Sequence, residues 1–269
     1  MANTKRDYSR LLLDVDGILV DEQESTSPHA WRTLFALHEQ GVPVSLVTAR
    51  PYSLSKHLVK RLPKGGIHAF DCGAFVVDCD TKKVLVRRTL PRTVVSGLIK
   101  EFAMDSNNLE IGVSDGPSFY ANKKLRRYLK SIIPTATVRP LKPLPRHITS
   151  LCIRGLSSNQ ARRSEKAFSP MASICIRERK NGDYALFVRP DGICKRFGAT
   201  ELSRLTGHSL NSTVFIGDDL DDLSALNAVG FGATTANGLA AVKKRCSMVS
   251  DRSYSDGMAD VISSIWLNR

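Results

Sequence analysis

The chain has 269 residues and a formal net charge of +13, with 42% hydrophobic and 24% charged residues. These proportions are ordinary for a globular protein of one large or two modest domains, and no apolar run approaches the roughly 18 residues that would span a membrane. The first residues, MANTKRDYSR, contain no apolar stretch, so no secretory signal is expected.

Cysteine usage favours a reducing compartment. The six cysteines are scattered and form no Cys-x-x-Cys pair, which argues against a disulfide framework and against a zinc site. We therefore expect a cytoplasmic protein whose thiols are reduced.

The chain opens with a strand and helix alternation. Leu11–Leu13 predicts a buried strand, since a short continuous apolar run suits a parallel strand covered on both faces. A helix is predicted over 27–41, where apolar residues recur at helical spacing before a terminal glycine. A buried strand over 42–50 and a helix over 53–62 complete a βαβα order, which implies parallel strands.

In the middle of the chain the βα alternation gives way to hairpins mixed with helices. Alternating residues around an Asp-rich turn predict a hairpin over 74–90, and a second hairpin over 173–188 has Asn181-Gly182 as its turn. The elements predicted between the two hairpins are a helix near 91–103, a strand near 109–114, a basic helix near 120–133, a strand near 147–154 and a helix near 158–168. This mixture indicates a separate α+β layer.

The βα alternation then resumes, with a helix near 195–207, a strand over 212–217 and a helix over 219–230. The predicted fold class is therefore α/β: a Rossmann-like, doubly wound parallel-sheet core with an inserted α+β cap. We assign residues 1–88 and 189–269 to the core and 89–188 to the cap.

Charge is concentrated in the inserted part. Residues 81–180 hold 21 Lys and Arg against 6 Asp and Glu, whereas the rest of the chain holds 18 against 20. Such a segment should attract anions, whether phosphorylated metabolites, nucleic acid or a membrane surface. A solvated basic face without a ligand is the alternative explanation.

Polar residues fall at the ends of predicted core elements. Asp14 and Asp16 follow the first strand, Thr48 follows the second, and Lys195 opens a late helix; GDDLDD, residues 217–222, follows a late strand. Ligands of open α/β folds bind at the carboxyl ends of the strands. Each feature also has an ordinary explanation, such as a capping threonine, a surface lysine or an acidic helix start.

Together the four features predict a chemistry. Crowded carboxylates favour a hard cation such as Mg²⁺, and one of two paired aspartates can attack an electrophile while the other handles the proton. Thr48 offers a hydroxyl and neighbouring N–H groups to an anion, and Lys195 offers a point charge for phosphate. The combination predicts metal-assisted phosphoryl transfer through an aspartyl-phosphate.

The sequence resembles the Cof-type phosphatases of the haloacid dehalogenase superfamily over nearly the whole chain. DVDGILVD is similar to their first motif, LVTAR to the second, Lys195 in DGICKRFGATEL to the third, and GDDLDDLSALNAVGFGATTANG to the fourth. The fourth motif is also similar to that of trehalose-phosphate phosphatases. Ile18 departs from the usual Thr, and Asp219 and Asp221 stand where a small residue and Asn are usual.

The resemblance implies residue roles. Asp14 would be the nucleophile and Asp16 the general acid and base, with Mg²⁺ held by the Asp14 carboxylate, the Asp16 carbonyl and Asp218. The implied phosphate-binding residues are Val15, Thr48, Ala49 and Lys195. The residues implied to support the metal or the lysine are Asp219, Asp221 and Asp222.

These inferences predict a Mg²⁺-dependent phosphomonoester hydrolase for a small phosphorylated metabolite such as a sugar phosphate. Cap residues proposed to contact this anionic substrate are Arg87, Arg88, Lys123, Lys124, Arg126 and Arg127, of which the last four share one predicted helix and could instead form its solvated face. A phosphotransferase such as a phosphomutase is one alternative. A polyanion- or RNA-binding protein on an inactive fold is another, although no RNA-binding motif or aromatic stacking cluster is visible, so nucleic acid is not the expected partner.

Overall fold

The apolar run Leu11–Leu13 is buried at the middle of a sheet in the computed structural model, which describes residues 8–63, 66–102 and 108–268. The chain divides into two compact units. The first comprises Met1–Ala49, Leu58–Leu85 and Cys194–Arg269, and the second comprises Arg50–His57 and Val86–Ile193.

Strands and helices alternate near the chain ends and mix in the middle. Through the described chain the strands are β1 (Arg10–Leu13), β2 (Val44–Leu46), β3 (Ile67–Phe70), β4 (Phe75–Asp78), β5 (Val84–Arg87), β6 (Glu110–Ser114), β7 (Phe119–Ala121), β8 (Val138–Pro140), β9 (Ser150–Leu156), β10 (Ala172–Glu178), β11 (Tyr184–Pro190), β12 (Thr213–Ile216), β13 (Phe231–Thr234) and β14 (Met248–Val249). The α-helices are α1 (Pro28–Glu39), α2 (Tyr52–Val59), α3 (Arg92–Glu101), α4 (Lys123–Ile132), α5 (Ser158–Phe168), α6 (Lys195–Thr206), α7 (Leu223–Leu226), α8 (Ala240–Lys243) and α9 (Tyr254–Ile262).

The first unit is built on a parallel sheet with the strand order β14-β13-β12-β1-β2. β1 lies between β2 and β12, and Leu13 is in register with Leu46 on one side and Ile216 on the other. The side chains of β1, β2 and β12 are buried, as expected for parallel strands covered on both faces. The structure confirms the predicted α/β class with a parallel-sheet core.

A smaller sheet with the order β3-β4-β5 continues from the central one. Ala69 of β3 forms a parallel bridge to Val47, directly after β2, and β3 pairs with β4 in the antiparallel sense. The hairpin predicted over 74–90 forms β4 and β5. Its turn is held by Asp78, whose Oδ1 accepts hydrogen bonds from the backbone N–H groups of Asp80 and Thr81, each at 3.0 Å.

The second unit contains a sheet with the order β10-β11-β9-β6-β7-β8. The neighbouring strands are antiparallel except for β7 and β8, which are parallel. Residues of α3 and α5 share one apolar cluster with this sheet, and α4 contributes Leu125 and Leu129 to another, which also contains Leu54 of α2. The α+β mixture expected for the inserted region is present.

The boundaries of the two units differ in detail from those drawn from the sequence. Residues 86–88 and 189–193 group with the second unit, and so do 50–57. One cause is the length of β11, which pairs with β10 as far as Pro190, opposite Ala172. Another cause is Leu54, which belongs to the same apolar cluster as Phe119.

The helix predicted over 219–230 is shorter in the structure, where a 3₁₀ turn over Leu220–Asp222 precedes the four-residue α7. The side chains of Asp219 and Asp222 cap this turn reciprocally and fix its tighter geometry. Within the described residues, none of the helices has the length and apolar character needed to cross a membrane.

Candidate active site

Three neighbouring strands of the parallel sheet end in polar residues. Asp14 follows β1, and its backbone N–H donates to the carbonyl of Ile216 at 2.9 Å. Thr48 lies two residues beyond β2, and its N–H donates to the carbonyl of Ala69 at 3.0 Å. Asp218 lies two residues beyond β12. Because these strands are parallel and adjacent, their carboxyl ends lie at the same edge of the sheet.

Lys195, the first residue of α6, joins two of the aspartates. Its Nζ lies 2.8 Å from Asp14 Oδ2 and 2.6 Å from Asp222 Oδ1, and its side chain is only 2% exposed. Burial lowers the pKa of Lys195, but the charges of Asp14 and Asp222 outweigh this effect and hold the pKa above its usual range. The lysine is therefore a fixed ammonium.

Asp222 connects the lysine to the loop that carries Asp218. Its Oδ2 accepts hydrogen bonds from the backbone N–H groups of Asp218 at 3.1 Å and Asp219 at 3.0 Å, while its Oδ1 contacts Lys195. Asp222 is fully buried, so each oxygen is satisfied inside the protein. Asp222 thus links Lys195 to the backbone of the Asp218 loop.

Two carboxylate oxygens of the cluster are left without partners. Asp14 Oδ1 and Asp218 Oδ1 are buried and have no hydrogen-bond partner among the described residues. Oxygen atoms of Asp14, Asp218 and Asp222 lie within 4.8 Å of one another. Buried acceptors without donors are costly, and oxygen ligands from carboxylates are those that Mg²⁺ takes. The residues present fit a hard divalent cation held by Asp14 and Asp218.

The pKa values of Asp14 and Asp218 reflect their burial and the negative charges close to them. Burial raises the pKa of Asp14 well above its usual range; the ammonium of Lys195 opposes this shift and the charges of Asp222 and Asp16 add to it. Burial, together with the charge of Asp222, raises the pKa of Asp218 to about 7. A bound cation would favour the ionised form of both carboxyls.

Gly17 and Asn237 fix the Asp218 side chain from outside the cluster. Gly17 has a φ of +77°, and a Cβ atom there would lie 2.5 Å from Asp218 Cγ and 2.7 Å from its Oδ1. Asn237 Nδ2 donates to the Gly17 carbonyl at 2.9 Å and to Asp218 Oδ2 at 3.4 Å, and its Oδ1 accepts from the Tyr254 N–H at 2.7 Å. Sequence reasoning did not identify Asn237, although it lies in the stretch similar to the fourth motif.

The other residues predicted near Asp14 have different surroundings. Asp16 is exposed, whereas Val15 is buried and its carbonyl accepts from the N–H of Leu19 at 2.9 Å. Thr48 is fully buried, and Ala49 beside it is half-buried.

The remaining acidic residues of GDDLDD lie outside the three-carboxylate cluster. Asp219 Oδ1 accepts from the N–H of Leu220 at 2.6 Å, which caps the 3₁₀ turn. Asp221 is half-buried, and its carbonyl accepts from Ser224 Oγ at 3.3 Å.

The basic residues predicted to contact substrate fall into two groups. Arg87 and Arg88 are exposed at the end of β5. The other four lie on the first half of α4 and line one cavity of the second unit, to which Arg87 and Arg88 do not contribute: Lys123, Lys124, Arg126 and Arg127.

The fold and the site define an α/β protein with an acidic centre, suited to a cation, at the carboxyl ends of its parallel strands. The chain belongs to the haloacid dehalogenase-like hydrolases, whose family model matches residues 11–262. The predicted family and the prediction that the protein is an enzyme are therefore confirmed.

Two phosphatases and one solved structure are among the known proteins similar to the chain. It is 32% identical over 85 residues to a phosphoglycolate phosphatase of Methanosarcina acetivorans, a match that covers 32% of this chain and only 38% of that enzyme. It is 25% identical to the 5-amino-6-(5-phospho-D-ribitylamino)uracil phosphatase YitU of Bacillus subtilis, over 93% of this chain and 94% of YitU. A crystal structure of a haloacid dehalogenase-like hydrolase from Bacteroides thetaiotaomicron superposes with a TM-score of 0.81 at 22% identity, covering 96% of this chain and all of that one (100%).

Proposed function

We propose that the protein is a Mg²⁺-dependent phosphomonoester hydrolase that acts on a small phosphorylated metabolite through an aspartyl-phosphate at Asp14. The observation that carries this proposal is a pair of buried oxygens, one of Asp14 and one of Asp218, that have no hydrogen-bond partner in the described part of the chain and lie beside the fixed ammonium of Lys195. The names of the similar phosphatases support the same reaction class.

The nucleophile is oriented by its own contacts. Lys195 holds Oδ2 of Asp14 at 2.8 Å and favours the ionised form against the effect of burial. In the proposed first step an oxygen of Asp14 attacks phosphorus and the bond from phosphorus to the ester oxygen breaks. The Mg²⁺ ion, when bound by Asp14, Asp218 and the Asp16 carbonyl, supplies positive charge next to the phosphoryl oxygens.

Proton transfer is assigned to Asp16. Its exposed carboxyl group would donate a proton to the leaving oxygen and then accept one from the water that hydrolyses the aspartyl-phosphate. Thr48, the backbone of Val15 and Ala49, and the Lys195 ammonium would bind the phosphoryl group. Asp222 would keep Lys195 and the Asp218 loop in place through its three hydrogen bonds.

The substrate class follows from charge. The basic region between residues 81 and 180 favours an anionic molecule, and a sugar phosphate or related phosphorylated polyol fits this requirement. YitU, a relative over nearly its full length, is named for a substrate with a phosphoribityl group.

The test is a phosphate-release assay over a panel of phosphorylated metabolites, with Mg²⁺ and with EDTA. The panel includes sugar phosphates, phosphoglycolate and p-nitrophenyl phosphate. We expect Mg²⁺-dependent release that is absent in Asp14→Asn and retained in Asp191→Asn, a matched change at an exposed aspartate. Release that persists in EDTA, or in Asp14→Asn, would contradict the proposal.

A further inference from the structure

An open cavity lies within the second unit, between the start of α4 and the segment that follows β8. Its volume is about 640 Å³, within the range of sites that hold small molecules. The apolar part of its wall is formed by Ile111, Ala121, Pro140 and Leu141.

The charged part of the wall carries a single sign. Five cationic side chains line the cavity, and no carboxylate appears among its described lining residues: Lys123, Lys124, Arg126, Arg127 and Lys142. Lys142 comes from outside α4, so two segments of the chain contribute positive charge to the cavity. Like charges gathered around one space repel each other, and an anion in that space would relieve the repulsion.

Arg126 presents a donor that the described protein leaves unused. Its Nε is buried and has no hydrogen-bond partner among the described residues. Buried polar groups in proteins are normally hydrogen-bonded. Because water does not reach Nε in this conformation, a ligand oxygen in the cavity would accept its hydrogen bond once the Arg126 side chain turns toward the cavity, and a phosphate oxygen would do so with charge assistance.

The helix itself adds to the positive field. α4 begins at Lys123, and Asn122 caps it by accepting the N–H of Leu125 at 3.1 Å. The amides of the first turn and the helix dipole favour an anion at this end. Thus the cavity, the five cations and the unused Nε indicate the same kind of ligand.

We propose that this cavity binds the phosphate group of a small phosphorylated molecule, with the apolar wall contacting the uncharged part of that molecule. The binding site consists only of residues of the second unit. The inference therefore does not require the proposed catalytic reaction.

The direct test is isothermal titration calorimetry with pyrophosphate in EDTA. Lys123→Gln combined with Arg126→Gln removes two cations that line the cavity. Arg162→Gln combined with Lys166→Gln removes two exposed cations of α5 that do not line it. We expect the first pair to weaken binding at least about tenfold and the second to leave it within about twofold. Equal losses in both pairs, or no binding to the wild-type protein, would overturn the proposal.

A single change tests the role of the unused donor. Arg126→Lys keeps the charge but removes Nε, so binding should weaken by several fold although the net charge is unchanged. Unchanged affinity in Arg126→Lys would contradict a hydrogen bond from Nε to the ligand. Thermal unfolding of each variant shows whether the second unit is still folded.

Kinetics distinguish two sources of the bound phosphate group. If the group belongs to a second ligand, pyrophosphate at a fixed free Mg²⁺ concentration should alter p-nitrophenyl phosphate hydrolysis more in the wild type than in the Lys123, Arg126 double variant, which keeps only competition at the catalytic centre. If it belongs to the substrate, that variant should raise KM for a sugar bisphosphate and not for p-nitrophenyl phosphate. An enzyme without phosphatase activity would refute the proposed function, while the titration would still decide whether the cavity binds phosphate.

Discussion

Replacement of Gly17 with alanine tests whether the position of the Asp218 carboxylate governs activity. The new Cβ would overlap Asp218 Oδ2 and lie 2.5 Å from Cγ and 2.7 Å from Oδ1, so the carboxylate must retreat by about 1.5 Å to reach ordinary van der Waals separation. A displacement of that size can lower the rate by about 100-fold. We expect kcat/KM for p-nitrophenyl phosphate to fall by about this factor and the Mg²⁺ concentration for half-maximal activity to rise.

Gly41→Ala is the matched control. Gly41 has a φ of +79°, close to the +77° of Gly17, but a Cβ atom added at Gly41 would have no atom within 4 Å among the described residues other than its two chain neighbours. Both variants should lose about 1–2 kcal/mol of unfolding free energy because alanine disfavours the left-handed region, as measured by urea unfolding. Only Gly17→Ala should lose activity. Equal kinetic effects in the two variants would refute the idea that contact with Asp218 matters.

Three further predictions concern single side chains. Asp14→Asn should abolish phosphate release while leaving the far-ultraviolet circular dichroism unchanged, since the two side chains are nearly isosteric. Asp218→Asn should weaken Mg²⁺ binding measured by calorimetry more than Asp219→Asn, because Asp218 Oδ1 is the unpartnered oxygen and Asp219 caps a turn. His68 Nδ1 accepts the Leu46 N–H at 3.0 Å, and burial, with the charge of Arg10, lowers the pKa of His68 to about 3. In the unfolded chain this histidine has its ordinary pKa of about 6.5, so below that pH the unfolded state binds a proton that the folded state does not. The contribution of His68 to the free energy of unfolding is therefore complete above about pH 6.5 and is lost as the pH falls toward 3, with about 2 kcal/mol lost at pH 5. His68→Asn should flatten the pH dependence of urea unfolding between about pH 7.5 and pH 5.

Each of these three has a result that would count against it. If Asp14→Asn retained about a tenth of the wild-type rate, Asp14 would be excluded as the nucleophile. Greater sensitivity at Asp219 would place the metal ligand one residue later. Parallel pH dependence in wild type and His68→Asn would mean that the histidine is not kept neutral in the folded protein.

The strands of the core and their polar ends could be predicted because the signals are local. The run Leu11–Leu13 followed by Asp14 predicts a buried strand with a carboxylate at its end. The structure has this arrangement. Lys195 and Asp222 lie 27 residues apart, and only the family resemblance places them in one site before the structure is known. Their contact depends on how α6 packs against α7 and the preceding 3₁₀ turn.

Other features lacked a local signal. Asn237 acts through hydrogen bonds to Gly17 and Tyr254, which are distant in sequence, and no spacing rule marks such an amide. Lys142 joins the cations of α4 only because β8 pairs with β7. The short α7 departs from the predicted helix because Asp219 and Asp222 use their side chains to cap a 3₁₀ turn, a choice that helical periodicity does not reveal.

The central position of β1 has a consequence for how the chain reaches its folded state. Arg10 is in register with Thr213, so one side of β1 pairs with a segment that follows it by roughly 200 residues. Until β12 has emerged from the ribosome, Leu11–Leu13 has β2 on one side and an open edge on the other. Pairings of such large sequence separation form slowly. A nascent chain that ends before residue 213 therefore contains Asp14 and Thr48 but lacks Asp218 and Asp222. The acidic centre can form only after the chain has been made through Asp222.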